Sequence, residues 1–172
     1  MRVVSGELGG RKLVSPDGTS TRPTTDRVRE AVFNALGSAG ALDGALVADV
    51  FAGTGAVGIE AISRGAAHCT FVERDRAALR ALEENIDTLD LGARSRILRS
   101  DATQAVAALD VDIVFADPPY DFDGWTTFFA TVRADSVVVE SGRNFAEQVG
   151  WTITRSRRYG RAWVTFLERE AK

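Results

Sequence analysis

Between residues 45 and 141 the chain repeats one unit, a short apolar run followed by a segment with helical spacing. "ALVADVF", "CTFVER", "RSRILRSD", "DIVFAD" and "SVVVES" read as strands; "AVGIEAISRG", "DRAALRALEENIDTL", "ATQAVAAL" and the tail of "PPYDFDGWTTFFATVR" read as the intervening helices. Strands joined through a helix run parallel, because an antiparallel partner needs only a tight turn. Right-handed crossovers then lay helices on both faces, so the pattern predicts an α/β, doubly wound, mostly parallel sheet. Burial on both faces also accounts for strands that are nearly continuous apolar runs. A chain of 172 residues fits one domain spanning 1–172.

Two flanking segments break the rhythm. "MRVVSGELGGRKLVSP" alternates apolar pieces with Gly6 and the Gly9–Gly10 pair, which predicts an N-terminal β-hairpin arm within residues 1–20, ahead of a core over 21–172. "DGTSTRPTTD" is a loop ending in helix-capping chemistry at Thr24, Thr25 or Asp26. It opens the helix "RVREAVFNALGS", with Val28, Val32, Phe33 and Leu36 on one face and its end near Gly37. "WTITRSRRYGRAWVTFLER" reads as two strands around a turn at Tyr159–Gly160; no helix separates them, so they pair antiparallel.

Composition narrows the chemistry. A single Cys69 and a single His68, both in an apparent strand, leave no disulfide and no Cys/His metal site, so no metal is expected. No apolar run reaches the roughly 18 residues of a membrane helix, and no signal peptide opens the chain, so a cytoplasmic protein without a membrane partner is expected. The net charge of −3 is unevenly spread: +2 over residues 1–30, −9 over 31–150 and +4 over 151–172. Basic ends on an acidic core hint at nucleic-acid contact.

The stretch "DVFAGTGAVG", residues 49–58, contains G-x-G-x-x-G from Gly53, which seats a pyrophosphate in dinucleotide folds, yet it begins with an acid. Asp49 would repel a pyrophosphate and suits a ligand carrying an ammonium and a sulfonium, such as S-adenosylmethionine; the bland alternative is that it caps the loop or helix. Glu73 closes the second strand, where a carboxylate accepts from ribose hydroxyls in either cofactor class. Asp101, after the third strand, is placed for an adenine amino group and equally for capping the next helix, while Asp75 reads as a helix cap. "DPPY", Asp117 to Tyr120, follows the fourth strand. Its two prolines fix the backbone and remove two donors, leaving the Asp117 carboxylate and the Pro118 carbonyl as acceptors beside the π-face of Tyr120. Such a turn grips the hydrogens of an exocyclic amine while the ring stacks its base.

These residues resemble the RsmD family of 16S rRNA guanine-N2 methyltransferases. The resemblance runs nearly end to end through "GGRKL", "TRPTTDRVREAVFN", "DVFAGTGAVGIEAISRGA", "FVERDR" and "DPPY". It implies a class I, Rossmann-like methyltransferase fold closed by an antiparallel C-terminal hairpin. It implies S-adenosylmethionine as methyl donor, and as partner the 16S rRNA of an assembled or assembling small ribosomal subunit. A monomer is expected. The family's cofactor loop falls on Asp49, Ala52, Gly53, Thr54 and Gly55, its ribose contact on Glu73 with Arg74, and its adenine contact on Asp101 with Ala102. Its catalytic turn falls on Asp117, which also counts among the cofactor contacts, with Pro118 and Tyr120, where many members have Phe at the last position. Candidate RNA contacts are Arg2, Arg11, Lys12, Arg22, Thr24 and Arg27 at one end and Arg155, Arg157, Arg158 and Arg161 at the other. An amino-methyltransferase acting on DNA adenine or protein glutamine, or a nucleotide-binding module without catalysis, are the rival expectations.

Overall fold

The structure, a computed structural model, describes residues 1–16 and 26–171. The predicted alternation is present. Helix α1 (Asp26–Ser38) precedes β1 (Leu46–Asp49), α2 (Ala56–Ser63), β2 (His68–Glu73), α3 (Arg76–Thr88), β3 (Ser95–Arg99) and α4 (Ala102–Val106). Then come β4 (Val111–Ala116), α5 (Trp125–Thr131), β5 (Ala134–Ser141), β6 (Trp151–Tyr159) and β7 (Ala162–Arg169). Thr24 and Thr25, expected caps of α1, lie outside the described residues, and Asp26 is the helix's first residue.

All seven strands form one sheet in the order β3-β2-β1-β4-β5-β7-β6. β1 to β5 are mutually parallel, and β7 runs antiparallel to both β5 and β6. The hairpin turn falls one residue later than expected: Tyr159 pairs with Ala162, leaving Gly160 and Arg161 in the loop. Gly160 sits at φ +61°, as a two-residue hairpin loop with glycine first requires. Among the described residues no helix is long and apolar enough to cross a membrane.

One core lies on the face covered by α1, α2, α3 and the arm, built on Phe33, Ile59, Phe71, Leu82 and Phe115. The other lies under α4 and α5, built on Val72, Val114, Trp125, Phe128 and Val139. The first core explains the last glycine of the loop motif. A methyl group on Gly58 would stand 2.4 Å from Phe71 Cε1 and 2.5 Å from Cys69 Sγ, so α2 lies against β2 at the distance only glycine allows.

The N-terminal segment is the expected hairpin. Arg2 pairs with Lys12 in an antiparallel bridge, Val3 N donates to Arg11 O at 2.9 Å, and Val3 and Leu13 are buried. The arm is fastened by buried polar groups. Glu60, with no exposed surface, accepts from Val4 N at 2.7 Å and Ser5 N at 3.0 Å, and pairs with Arg64 Nε at 2.7 Å and Arg29 Nε at 3.7 Å. Ser63 Oγ accepts from Leu8 N and donates to Ser5 O. Asn85 accepts from Val14 N and donates to the carbonyls of Val14 and Thr54, tying arm to glycine loop.

Gly58→Ala should destabilise the protein by about 1–3 kcal/mol through overpacking. Denaturant unfolding checks this; an unchanged midpoint would mean that the helix can retreat from the sheet at little cost.

Candidate active site

The parallel register sets the carboxyl ends of β1 to β5 along one edge, where ligands bind in doubly wound sheets. Asp49 ends β1, Glu73 ends β2, Asp101 follows β3, Asp117 follows β4 and Glu140 lies near the end of β5. The glycine loop springs from the β1 end. Gly53 and Gly55 take φ of +54° and +83°, a region other residues enter only with strain. Ala52 N donates to Val72 O at 3.0 Å and Gly55 N to Ala52 O at 2.7 Å, so backbone bonds hold the loop's shape.

Three of the predicted acids have backbone partners. Asp49 is 3% exposed, and its Oδ2 accepts from Gly58 N at 2.9 Å, so it caps the amino end of α2. Burial pushes its carboxyl up to about 7, against the pull of the Gly58 N–H and with a further push from the charge of Glu73. Glu73 Oε2 accepts from Gly53 N at 2.8 Å, and Oε1 from Arg74 N and Asp75 N at 2.7 and 2.8 Å. Glu73 thus braces the glycine loop. Asp101 caps α4, whose first residue is the buried Ala102, by accepting from Thr103 N at 2.9 Å. Bonding to the Thr103 hydroxyl holds its carboxyl below the usual range, with Arg74 adding an ion pair at 3.0 Å. Asp75 caps α3, as the sequence predicts.

Two hollows flank the β4 and β5 ends. A small cavity of about 30 Å³ on the α1 side is lined by Arg29, Phe33, Asp49, Phe115, Asp117 and Glu140, among others. A cleft of about 370 Å³ on the α5 side is lined by Pro118, Tyr120, Phe122, Ser141, Arg143 and Arg161, among others. Asp117 and Glu140 border the first hollow, and Pro118 and Ser141, the next residues along, border the second. The half-exposed Tyr120 ring lies over Gly142, whose added Cβ would meet its carbons at 3.4 Å. The Asp-Pro-Pro-Tyr turn closes with Phe122 N donating to Pro119 O at 2.9 Å. Phe122 packs edge-on against Phe51 of the glycine loop, with ring centroids 5.3 Å apart, and against Trp125 at 4.9 Å.

The candidate RNA contacts disperse. Arg161 lines the cleft beside Tyr120. Arg155 is half-buried over the Phe166 ring, Arg158 Nε donates to Gly160 O at 2.9 Å, and Arg157 is exposed on β6. Arg11 Nη2 donates to Thr88 O at the end of α3, and the arm's Glu7 pairs with Arg94 just before β3, so the arm's tip sits at the strands' amino ends. Arg2 and Lys12 pair within the arm, Arg27 is exposed on α1, and Arg22 and Thr24 lie outside the described residues. Sequence reasoning passes over Glu140 and Arg143. The strand-end argument that found the other four acids applies equally to Glu140.

A doubly wound sheet with one antiparallel strand inserted beside β5, a glycine loop after β1 and an Asp-Pro-Pro-Tyr turn after β4 define the class I methyltransferase fold. Residues 1–168 match the family model described as Conserved hypothetical protein 95. The chain is 37% identical over 186 residues to ribosomal RNA small subunit methyltransferase D of Escherichia coli, covering all of this chain and 91% of that protein. It is 41% identical over 152 residues to Bacillus subtilis YlbH, which carries a provisional rRNA methyltransferase name, across 86% of this chain and 82% of that one. The solved structure of Escherichia coli yhhF, provisionally named a methyltransferase, superposes with a TM-score of 0.87 at 36% identity, covering 100% of this chain and 99% of that one. The chain belongs to the RsmD family.

The raised Asp49 carboxyl has a pH signature. Folding favours its protonated form, so the stability it contributes is full below the ordinary carboxylate range and is lost as pH rises through about 7. Asp49→Asn keeps an oxygen for Gly58 N and removes the ionisation. Thermal unfolding should therefore show wild type losing more stability than the variant between about pH 5 and about pH 8; parallel losses would contradict the burial argument.

Proposed function

We propose that this protein transfers the methyl group of S-adenosylmethionine to the exocyclic N2 of a guanine in 16S rRNA, acting on assembled or assembling small subunits. The observation that carries the reading is the Asp117–Tyr120 turn at the end of β4, hydrogen-bonded neighbour of the strand that launches the glycine loop. The ribosomal target is supported by the small-subunit methyltransferase similar to this chain along its whole length.

The residues present fit the methyl donor. Gly53 leaves open space where a side chain would stand, so a ligand can lie against the loop backbone. Asp49 suits an ammonium, Glu73 with Arg74 a ribose, and Asp101 with Ala102 an adenine amino group, each at the end of an adjacent strand. Ala52, Thr54 and Gly55 shape the floor. The donor supplies a methyl carbon on a cationic sulfur; the protein's part is to present the amine. An exocyclic amine has its lone pair delocalised into the ring and is a weak nucleophile. The Asp117 carboxylate and Pro118 carbonyl accept its two hydrogens, which favours a pyramidal nitrogen with a localised lone pair. Tyr120 stacks the extruded base and fixes its plane. Orientation and electrostatics suffice, and the proton released by the nitrogen passes to the carboxylate or to water.

Arg143 and Arg161, on the rim of the cleft that holds Tyr120, have no carboxylate partner among the described residues and are placed to hold phosphates beside the target. Arg143 lies over the Phe145 ring at 5.5 Å, which restrains its head group.

The reading is tested by tritiated methyl transfer to small subunits from a strain lacking the modification, followed by nucleoside analysis. Label in N2-methylguanosine is expected; label in N6-methyladenosine, or none, overturns it. Asp117→Ala should slow transfer by about 100-fold or more while cofactor affinity stays within a few-fold. A comparable collapse of cofactor binding would remove Asp117 from its catalytic role. Arg143→Ala and Arg161→Ala should each raise KM for subunits and lower the salt slope of binding by about one ion. Unchanged salt slopes would place the phosphates elsewhere.

A further inference from the structure

Resting on the guanine reading above, we infer that Glu140 is the residue that selects guanine over adenine, accepting the N1–H of the target base beside Asp117. Position is the first support. Ala116 pairs with Val139 in parallel register, so Asp117 and Glu140 are the next residues along on neighbouring strands, spaced about 4.8 Å between chains. Phe115, Asp117, Val138 and Glu140 all line the α1-side cavity, so both acids border one hollow. Glu140 is 9% exposed, an uncommon place for a carboxylate without a task. In strand order β1-β4-β5, the glycine loop, the transfer turn and Glu140 follow one another, which puts Glu140 on the far side of Asp117 from the cofactor loop.

Base chemistry is the second support. The edge of guanine that carries N2 presents two adjacent donors, N2–H and N1–H, and then the acceptor O6. Two adjacent carboxylates complement the two donors. Adenine presents an acceptor at N1, and its lone pair would face the Glu140 carboxylate. The cavity's other polar walls are Asp49 and Arg29; Arg29 is 1% exposed and its Nε and Nη1 have no hydrogen-bond partner, so the cavity offers a donor as well as acceptors. A carboxylate has about four lone-pair positions, so Glu140 can accept from the base while keeping a protein partner.

The test uses the intact protein, S-adenosylmethionine, and reconstituted small subunits carrying guanine or adenine at the position that wild type methylates. Glu140→Gln offers an amide that can donate to adenine N1 and loses the charge that strengthens the bond to guanine. Transfer to guanine should fall by about tenfold or more, and the guanine-to-adenine ratio by at least as much, with cofactor affinity within about twofold of wild type. Glu140→Asp keeps the charge one methylene short, and should transfer more slowly while retaining the preference for guanine. An unaltered ratio in Glu140→Gln, or a loss wholly accounted for by weaker cofactor binding, overturns the assignment. If Glu140→Gln fails to fold, the same ratio read on Glu140→Asp decides, and a lost preference there overturns it. Wild-type product other than N2-methylguanosine overturns the underlying function as well, so the two failures are told apart by the first measurement.

Discussion

Each crossover from β1 to β5 passes through a helix, which sends five strands in one direction and brings their carboxyl ends to a single edge. Within a residue or two of every one of those ends the chain carries an acid: Asp49, Glu73, Asp101, Asp117 and Glu140. Strand spacing forces these charges within reach of one another, and repulsion would spread them unless donors were supplied. The first three are met by backbone N–H groups, of Gly58, of Gly53, Arg74 and Asp75, and of Thr103. The same bonds that make the acids tolerable also fix the glycine loop and the starts of two helices. Charge compensation and local folding therefore draw on the same atoms.

A second polar knot sets the position of α1 and the arm. Glu60 lies mid-helix with no exposed surface, and its charge is met by Arg64, by Arg29 of α1 and by two backbone donors of the arm. Removing one member of such a group leaves a buried charge uncompensated, which costs far more than the group as a whole contributes. Arg29 also donates to Arg2 O, so one guanidinium holds α1 to both the arm and α2. The basic run "RVRE" thus divides by exposure: Arg27 faces solvent and Arg29 is structural.

The strands and helices of the central alternation were legible because apolar spacing reports them directly. Asp75 as a cap and Asp117 at a strand end were legible because each is defined by its immediate neighbours in the chain: a helix opening after the one, a proline pair after the other. The arm's attachment was not. Glu60 and Asn85 read as ordinary polar residues on amphipathic helices, and their partners lie 55 to 71 residues away in sequence. The terminal arginines look equivalent in the sequence for a related reason: charge is visible there, while the end of the sheet to which a hairpin points is not. Arg11 and Arg161, equal as letters, sit at the amino ends of the strands and at the cleft beside Tyr120.

The insertion of β7 between β5 and β6 bears on how the molecule is made. β7 is the last strand in chain order and an interior one in space, while β6, synthesised before it, is the edge. Until β7 arrives, the valine-rich β5 presents a bare row of backbone donors and acceptors. Any nascent or truncated chain lacking β7 is then a sheet with a sticky side, suited to chaperone capture or self-association. The strand that follows β6 in the chain thus closes the gap that β6 leaves beside β5.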